Sequence, residues 1–197
     1  WFFFDDQYVC LGAGISCDSA QAVVTTMNQC HLRGEVCTSS GQPPKNLGRG
    51  DHTLDGPCWI YHDRVAYIVP CEARLHLRND IQSGAWRSIA AEQSGDPLSL
   101  DVFSLWFDHG TNPRDASYAY IVAPGVSLES PPLLVASKEI DILKNDSRVQ
   151  AVRHNGLRRV AVAFYEPTTL ESPGGLSIRA DMPCLVMVHE RPDGLAV

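Results

Sequence analysis

Short runs of β-branched, aromatic and aliphatic residues recur along the chain, and turn residues separate them. The run Arg74-Leu75-His76-Leu77-Arg78 alternates strictly between polar and apolar side chains, which is typical of a strand with one buried face. Asp63-Arg64 separates the apolar runs Cys58–His62 and Val65–Val69, as the turn of a tight hairpin does. Almost no segment has helical periodicity. The pattern predicts an all-β protein built as an antiparallel β-sandwich.

Turn residues set the expected connections between these strands. Asp5-Asp6-Gln7 predicts a hairpin, and Gly12-Ala13-Gly14 predicts a sharp bend. Ser83-Gly84-Ala85-Trp86 predicts a turn that leads into a short strand. Residues 100–108 and 118–122 are expected to form a strand pair around the loop at residues 109–115.

A proline-bearing stretch, Ser127-Leu128-Glu129-Ser130-Pro131-Pro132, has the composition of a connection between domains. We therefore predict a first β-sandwich domain at residues 1–135 and a small antiparallel β domain at residues 136–197. The second domain contains four further strand-like runs, at residues 149–154, 160–165, 176–179 and 184–189.

Composition excludes several classes of function. The net charge of −7 argues against nucleic acid as a partner, and no run approaches the roughly 20 apolar residues that span a bilayer. The seven cysteines include no C-x-x-C pair and no zinc-binding spacing, so we expect neither a metal site nor a cofactor. Cys10, Cys30, Cys58 and Cys184 lie in apolar runs and are expected to be buried thiols. Cys17 and Cys37 lie near turns, so the sequence is compatible with a disulfide between them and with two free thiols.

The loop at residues 109–115 contains the candidate site. His109, Asn112 and Arg114 are candidate substrate-binding residues, because loops on rigid scaffolds often carry binding groups and arginine pairs with acidic sugars. The alternative is structural: Asp108 and His109 tie the loop together by hydrogen bonds. Tyr61 and His62 are neighbours in a strand, so they point to opposite faces and do not form a catalytic pair.

Two other features have competing interpretations. The four tryptophans, Trp1, Trp59, Trp86 and Trp106, lie in strand-like runs and are predicted to be core residues, with a sugar-stacking platform as the alternative. Asn145-Asp146-Ser147 is a potential N-glycosylation sequence. We also expect the chain to be a piece of a longer protein, because Trp1-Phe2-Phe3-Phe4 begins in mid-strand.

Several motifs occur in one order along the whole chain and together resemble those of polysaccharide lyase family 8, which includes chondroitin AC, hyaluronate and xanthan lyases. They lie at residues 1–5, 9–15, 25–29, 59–67, 84–86, 102–110, 118–125, 150–154 and 181–184. Thr25-Thr26-Met27-Asn28-Gln29 and Pro183-Cys184 are most similar to chondroitin AC lyases. The resemblance implies a supersandwich-like central β domain and a small C-terminal β domain.

The family cleaves acidic polysaccharides by β-elimination, with its catalytic side chains on a helical domain that precedes the β region. The resemblance therefore implies the scaffold of a secreted, extracellular or periplasmic lyase, with no catalytic residue in this chain. Acidic polysaccharide would be the partner through the missing helical domain, and the chain alone would be inactive. The alternative is a stand-alone carbohydrate-binding or structural β module.

Overall fold

A computed structural model describes residues 1–41, 43–172, 175–191 and 194–197. These residues form an almost entirely β structure with one α-helix and one 3-10 turn (Trp86–Ser88). The elements are, in chain order, β1 (Phe2–Phe3), β2 (Tyr8–Ile15), β3 (Ala22–His31), β4 (Val36–Thr38), β5 (Lys45–Leu47), β6 (Gly50–Asp55), β7 (Cys58–His62), β8 (Val65–Val69), β9 (Arg74–Gly84), β10 (Leu98–Thr111), β11 (Ala116–Pro124), α1 (Ser130–Ser137), β12 (Ile140–Asn145), β13 (Val149–His154), β14 (Arg159–Phe164), β15 (Thr168–Glu171), β16 (Ser177–Ala180), β17 (Cys184–Arg191) and β18 (Gly194–Ala196).

The described residues form four antiparallel sheets, which stack as layers. The outer sheet has the strand order β3-β10-β9-β6, and the central sheet has the order β1-β2-β11-β8-β7-β4-β5. The C-terminal sheet follows with the order β12-β13-β14-β17-β18, and the β15-β16 pair covers its far side. The predicted fold class, antiparallel β-sandwich followed by a small antiparallel β domain, is confirmed.

The central sheet is buried on both faces. In β11, Tyr120 and Val122 belong to the core shared with the outer sheet, whereas Ala119 and Ile121 belong to the core shared with the C-terminal sheet. Because alternate side chains of a strand point to opposite faces, a strand covered on both sides needs apolar residues at every position. This explains the unbroken apolar run at residues 119–123. In β9, which lies in the outer sheet, Leu75 and Leu77 are buried and alternate with more exposed residues, as predicted.

Helix α1 occupies the stretch that the sequence predicts to be an irregular connection. Pro131 and Pro132 lie in its first turn, where the missing backbone N–H groups have no intrahelical acceptor to lose. Lys138 ends the helix in the left-handed conformation, with φ 49°. The domain boundary predicted between residues 135 and 136 falls within α1 and stays a prediction. None of the helices formed by the described residues has the length and apolarity that crossing a bilayer requires.

The predicted pairing of residues 100–108 with residues 118–122 is wrong. The two segments belong to β10 and β11, which lie in the outer and central sheets and pair with different neighbours. The connection between them therefore crosses from one layer to the next. Hydrophobic alternation identifies each strand, but it does not specify the sheet to which the strand belongs.

Two local predictions are also corrected. Gly12-Ala13-Gly14 continues β2 as a strand and does not form a bend, although Gly14 has a φ of +71°. A Cβ atom at Gly12 would lie 2.2 Å from the Tyr118 ring, so this glycine lets the ring cross the strand closely. Ser83-Gly84 ends β9, and Trp86 begins the 3-10 turn instead of a strand.

All seven cysteines are free thiols, so Cys17 and Cys37 are not joined. Cys10 and Cys58 are buried as predicted, whereas Cys30 and Cys184 are partly exposed. Burial raises the pKa of Cys58 to about 12, which keeps this thiol protonated and unreactive at neutral pH.

Candidate functional site

His109 lies near the end of β10 and faces the interior of the sandwich. Its Nε2 atom is 2.8 Å from the Thr25 hydroxyl, and its ring stacks on Phe107 at a centroid distance of 6.4 Å. Tyr118 of the central sheet lies on another side of the imidazole, with its ring centroid 6.3 Å away. Burial lowers the pKa of His109 below its usual value, so the imidazole is neutral at neutral pH.

Asn112 and Arg114 lie in the connection between β10 and β11 and contact the segment Asp18-Ser19. The Asn112 backbone N–H donates to the Ser19 carbonyl at 3.3 Å. In the amide orientation that satisfies both of its polar atoms, the Asn112 side chain also donates to that carbonyl, at 2.8 Å. Arg114 donates from Nη2 to the Asp18 carboxylate. The structure thus brings Asn112 and Arg114 together at one surface point, while His109 points into the sandwich.

Asp108 anchors the same connection from the outer sheet. One carboxylate oxygen accepts a hydrogen bond from the Gly110 backbone at 2.9 Å, and the other lies 3.2 Å from His76 Nε2. The Gly110 N–H and the His76 contact lower the pKa of Asp108. These contacts fit the structural interpretation of Asp108 and His109, in which their hydrogen bonds hold the loop. Arg114 is the residue of this loop with an exposed positive charge, and the exposed Asp115 follows it.

The ion pair between Arg114 and Asp18 is exposed to solvent, so Arg114 can exchange Asp18 for another anion. Its side chain is 67% exposed and that of Asp18 is 86% exposed. Such an exposed ion pair contributes about 0–1 kcal/mol, so a competing sugar carboxylate or sulfate would displace Asp18 at low cost. The same guanidinium binds carboxylates and sulfates in a bidentate manner. The geometry therefore permits binding of an anion at Arg114.

A polar cluster between the two sheets was missed from the sequence. The Arg33 backbone N–H donates to His62 Nε2 at 3.0 Å, and His62 Nδ1 lies 3.8 Å from the Cys30 sulfur. Asn28 donates to the Tyr67 hydroxyl at 2.5 Å. Three strands of two sheets contribute Asn28, Cys30, His62 and Tyr67, and the connection after β3 contributes Arg33, so no sequence spacing joins these residues. His62 is almost fully buried while Tyr61 faces the opposite side of β7, as the strand alternation predicts.

The tryptophans divide between core and surface. Trp59 is buried and Trp106 is half-buried against His76, with ring centroids 5.7 Å apart. Trp1 and Trp86 are exposed, at 79% and 58%, and Trp106 belongs to none of the hydrophobic cores of the described residues, so the prediction that all four lie in the core is confirmed only for Trp59. Trp86 follows Gly84-Ala85, where the alternation of polar and apolar residues ends. This loss of alternation is the sequence feature that could have indicated that Trp86 lies outside a strand and is exposed.

Known proteins match the chain over nearly its full length. The sequence model of the polysaccharide lyase family 8 super-sandwich domain matches residues 1–131. The model of the C-terminal β-sandwich domain of that family matches residues 141–197. The two matches follow each other in the same order as the layers of the fold.

Individual relatives are enzymes several times longer than this chain. Chondroitinase-AC of Pedobacter heparinus is 39% identical over 191 residues, which cover 95% of this chain and 27% of the relative. A hyaluronate lyase of Thermasporomyces composti is 31% identical and covers 96% of this chain and 24% of its own length. A solved chondroitinase AC lyase superposes with a TM-score of 0.87 at 38% identity, covering 98% of this chain and 28% of that one. The chain thus spans about a quarter of the length of these relatives.

Proposed function

Because the chain belongs to polysaccharide lyase family 8, we propose that it is the β scaffold of a lyase that cleaves acidic polysaccharides by β-elimination. The observation that carries this proposal is the ordered match of both family domains to residues 1–131 and 141–197. The relatives named for chondroitin and hyaluronan favour glycosaminoglycans of those two types as substrates.

β-Elimination at a uronic acid requires three functions in one site. A donor must neutralise the uronate carboxylate so that the adjacent C–H becomes acidic, a base must remove that proton, and an acid must protonate the leaving oxygen. In this chain His109 is neutral but bonded inside the sandwich, and His62 is buried. We therefore assign the catalytic groups to a helical domain outside these 197 residues, and we assign to this chain the support of that domain.

Within the scaffold, Arg114 and Asn112 are the proposed contacts to the acidic chain. Arg114 offers the exposed cation and Asn112 fixes the loop that presents it. His109 supports the loop through Thr25 and has a smaller role. A polymeric substrate is not taken up whole by cells, so we propose an extracellular or periplasmic location for the protein.

The proposal is tested by lyase activity with chondroitin, hyaluronan and xanthan, followed by the ultraviolet absorbance of the unsaturated uronate product. We expect no turnover by these 197 residues and turnover by a polypeptide that also contains the helical domain. Chondroitinase-AC of Pedobacter heparinus serves as the positive control. Turnover by the 197 residues alone would show that the catalytic groups lie in this chain and not in a helical domain.

The second candidate is a stand-alone carbohydrate-binding or structural module, which the exposed Trp86 keeps open because exposed aromatic rings stack on sugars. The coding sequence upstream of Trp1 separates the two candidates. A helix-rich region of several hundred residues would support the lyase, whereas a stop codon or an unrelated domain would support the module.

A further inference from the structure

A cavity lies where the central sheet meets α1 and β12. Its volume is about 560 Å³, within the range of roughly 300–1,000 Å³ that is typical of small-molecule sites. The wall is mainly apolar and includes Trp59 and Ile68 of the central sheet, Leu134 of α1 and Ile140 of β12. It lies between the central sheet and the segment at residues 132–141 that connects the two matched family domains, and junctions between domains are frequent positions of binding sites.

Gln7 lines this cavity with an unsatisfied donor. The side chain is only 4% exposed, and its Nε2 atom has no hydrogen-bond acceptor in the part of the chain that the structure describes. The residue is held in place because its backbone carbonyl accepts from the Phe4 N–H at 2.9 Å. Leaving a buried amide nitrogen without an acceptor is unfavourable, so an acceptor from a bound molecule would stabilise this side chain.

Ser39 supplies a second donor on the same wall. It is also 4% exposed, and its Oγ accepts from the Trp59 backbone N–H at 2.9 Å. The hydroxyl hydrogen is left without an acceptor among the described residues. Two buried donors therefore border an otherwise apolar space.

The rim of the cavity selects against an anion. Among the described residues that line the cavity, Glu139 and Asp141 carry carboxylates and Lys138 carries an ammonium. The Asp141 carboxylate also accepts a hydrogen bond from Asn155 at 2.9 Å, which holds it in place. Two negative charges against one positive charge disfavour a ligand carboxylate and leave a neutral acceptor as the better match.

We propose that this cavity binds a small, neutral and largely apolar molecule that carries a carbonyl group. The carbonyl oxygen accepts hydrogen bonds from Gln7 and Ser39, and the apolar body packs on Trp59, Ile68 and Leu134. The site is separate from Arg114 and does not depend on lyase activity.

The probes are acetophenone, which has a carbonyl, and ethylbenzene, which has a similar shape without one. Each is titrated into the ¹⁵N-labelled 197-residue chain while amide resonances are followed by NMR. We expect acetophenone to bind about two- to tenfold more tightly than ethylbenzene, and to move the side-chain amide signals of Gln7. Equal affinities, no binding up to the solubility limit, or shifts confined to other surfaces would overturn the proposal.

Variants locate the effect. Gln7→Leu is expected to abolish the preference for acetophenone, whereas Gln93→Leu, the same change at an exposed loop residue, should preserve it. Val135 lines the cavity on α1 and is 47% exposed, so Val135→Trp should fold and block both probes. Unchanged binding in Val135→Trp would contradict the proposed location even if Gln7→Leu failed to fold. Benzoate, tested in parallel, should bind more weakly than acetophenone, and tighter binding of benzoate would refute the neutral class.

Discussion

The exposed pair of Arg114 and Asp18 is the residue-scale feature most closely tied to the proposed function. Both side chains are mostly solvated, and Arg114 lies in a connection whose position is fixed by Asn112 and Asp108. The backbone that presents the guanidinium is therefore held in place, while the guanidinium itself is only weakly paired with Asp18. When an anionic sugar binds Arg114, the interaction that is lost is the exposed ion pair with Asp18, which contributes little.

We predict that Arg114→Ala weakens binding of chondroitin sulfate oligosaccharides about two- to fivefold at low salt. Isothermal titration calorimetry on the 197-residue chain measures the effect, and added salt should reduce it. Arg179→Ala is the matched control, because Arg179 of β16 is similarly exposed, at 77%, and also pairs with a nearby aspartate, Asp181. An equal loss in both variants would indicate non-specific charge attraction.

His62 makes the stability of the folded chain depend on pH. Burial lowers its pKa in the folded chain, and the neighbouring charge of Asp63 opposes this effect only partly. His62 Nε2 accepts a hydrogen bond from the Arg33 N–H. Protonation of Nε2 would place its new N–H against the Arg33 N–H, so the bond would be lost. The unfolded chain consequently binds this proton more readily than the folded chain.

Because the unfolded chain binds the His62 proton more readily, the free energy of unfolding decreases as the pH falls. Stability should be full above the unfolded pKa of 6.5 and should fall as the pH drops from there through the lower folded pKa. Urea unfolding between about pH 8 and pH 5 measures the slope. His62→Gln is expected to reduce the slope, whereas replacement of the exposed His31 by Gln should leave it unchanged. A slope that is equal in all three chains would contradict the prediction.

At the scale of elements, Asn145 at the end of β12 joins the C-terminal sheet to the central sheet. Its side-chain nitrogen donates to the Gly12 carbonyl at 3.2 Å and to the Tyr118 carbonyl at 3.0 Å. Its oxygen accepts from Gln150 at 2.9 Å, and Gln150 in turn accepts from the Tyr165 hydroxyl at 2.8 Å. Because the Asn145 amide is engaged in this chain, the folded protein does not offer it as a free glycosylation acceptor.

Asn145→Ala should lower the free energy of unfolding by about 1–3 kcal/mol, because it removes the bonds to two partly buried carbonyls and to the buried Gln150 amide. Asn155→Ala is the control. Asn155 also makes two hydrogen bonds, to the Lys138 carbonyl and to Asp141, but in an exposed turn, so its loss should cost less than about 1 kcal/mol. Urea unfolding of both variants measures the difference, and equal costs would show that the bond between the sheets adds nothing.

Individual elements were more predictable than their assembly. The alternation at residues 74–78 identifies β9 with its buried face, and Asp63-Arg64 forms the predicted turn with both φ angles positive. The unbroken apolar run of β11 reveals burial but not that two different sheets provide it. The glycine at position 12 signals backbone freedom, whereas its actual reason is the Tyr118 ring across the strand.

The candidate site was predictable to a similar extent. The polar residues of the connection after β10 identify Arg114 and Asn112, but their partners Asp18 and Ser19 lie more than ninety residues earlier. The cavity is formed by Gln7, Ser39, Trp59 and Leu134, and no local pattern joins positions so far apart in the chain. Local periodicity specifies strands, whereas sites between layers depend on the stacking order of the sheets.

At the scale of the whole molecule, the central sheet couples the two family domains. Val9, Leu11 and Ile121 of this sheet share one core with Val152 and Ala161 of the C-terminal sheet. Each large apolar side chain buried there contributes about 1.5–3 kcal/mol. The second face of the central sheet is therefore stable only while the C-terminal layer covers it, and we expect the full chain to unfold in one cooperative transition.

A shortened chain that ends before α1 tests this coupling. Removal of the C-terminal layer exposes Trp59, Ile68 and Ile121 at once, so we expect binding of the dye ANS, aggregation and loss of the cooperative transition in calorimetry. A chain that ends after Arg191 is the control, because it loses only β18, whose Leu195 is 60% exposed, and should unfold like the full chain. If residues 1–129 instead unfold cooperatively at the temperature of the full chain, the two family domains are independent units. The four-layer stack would then be an association of separate domains and not one folding unit.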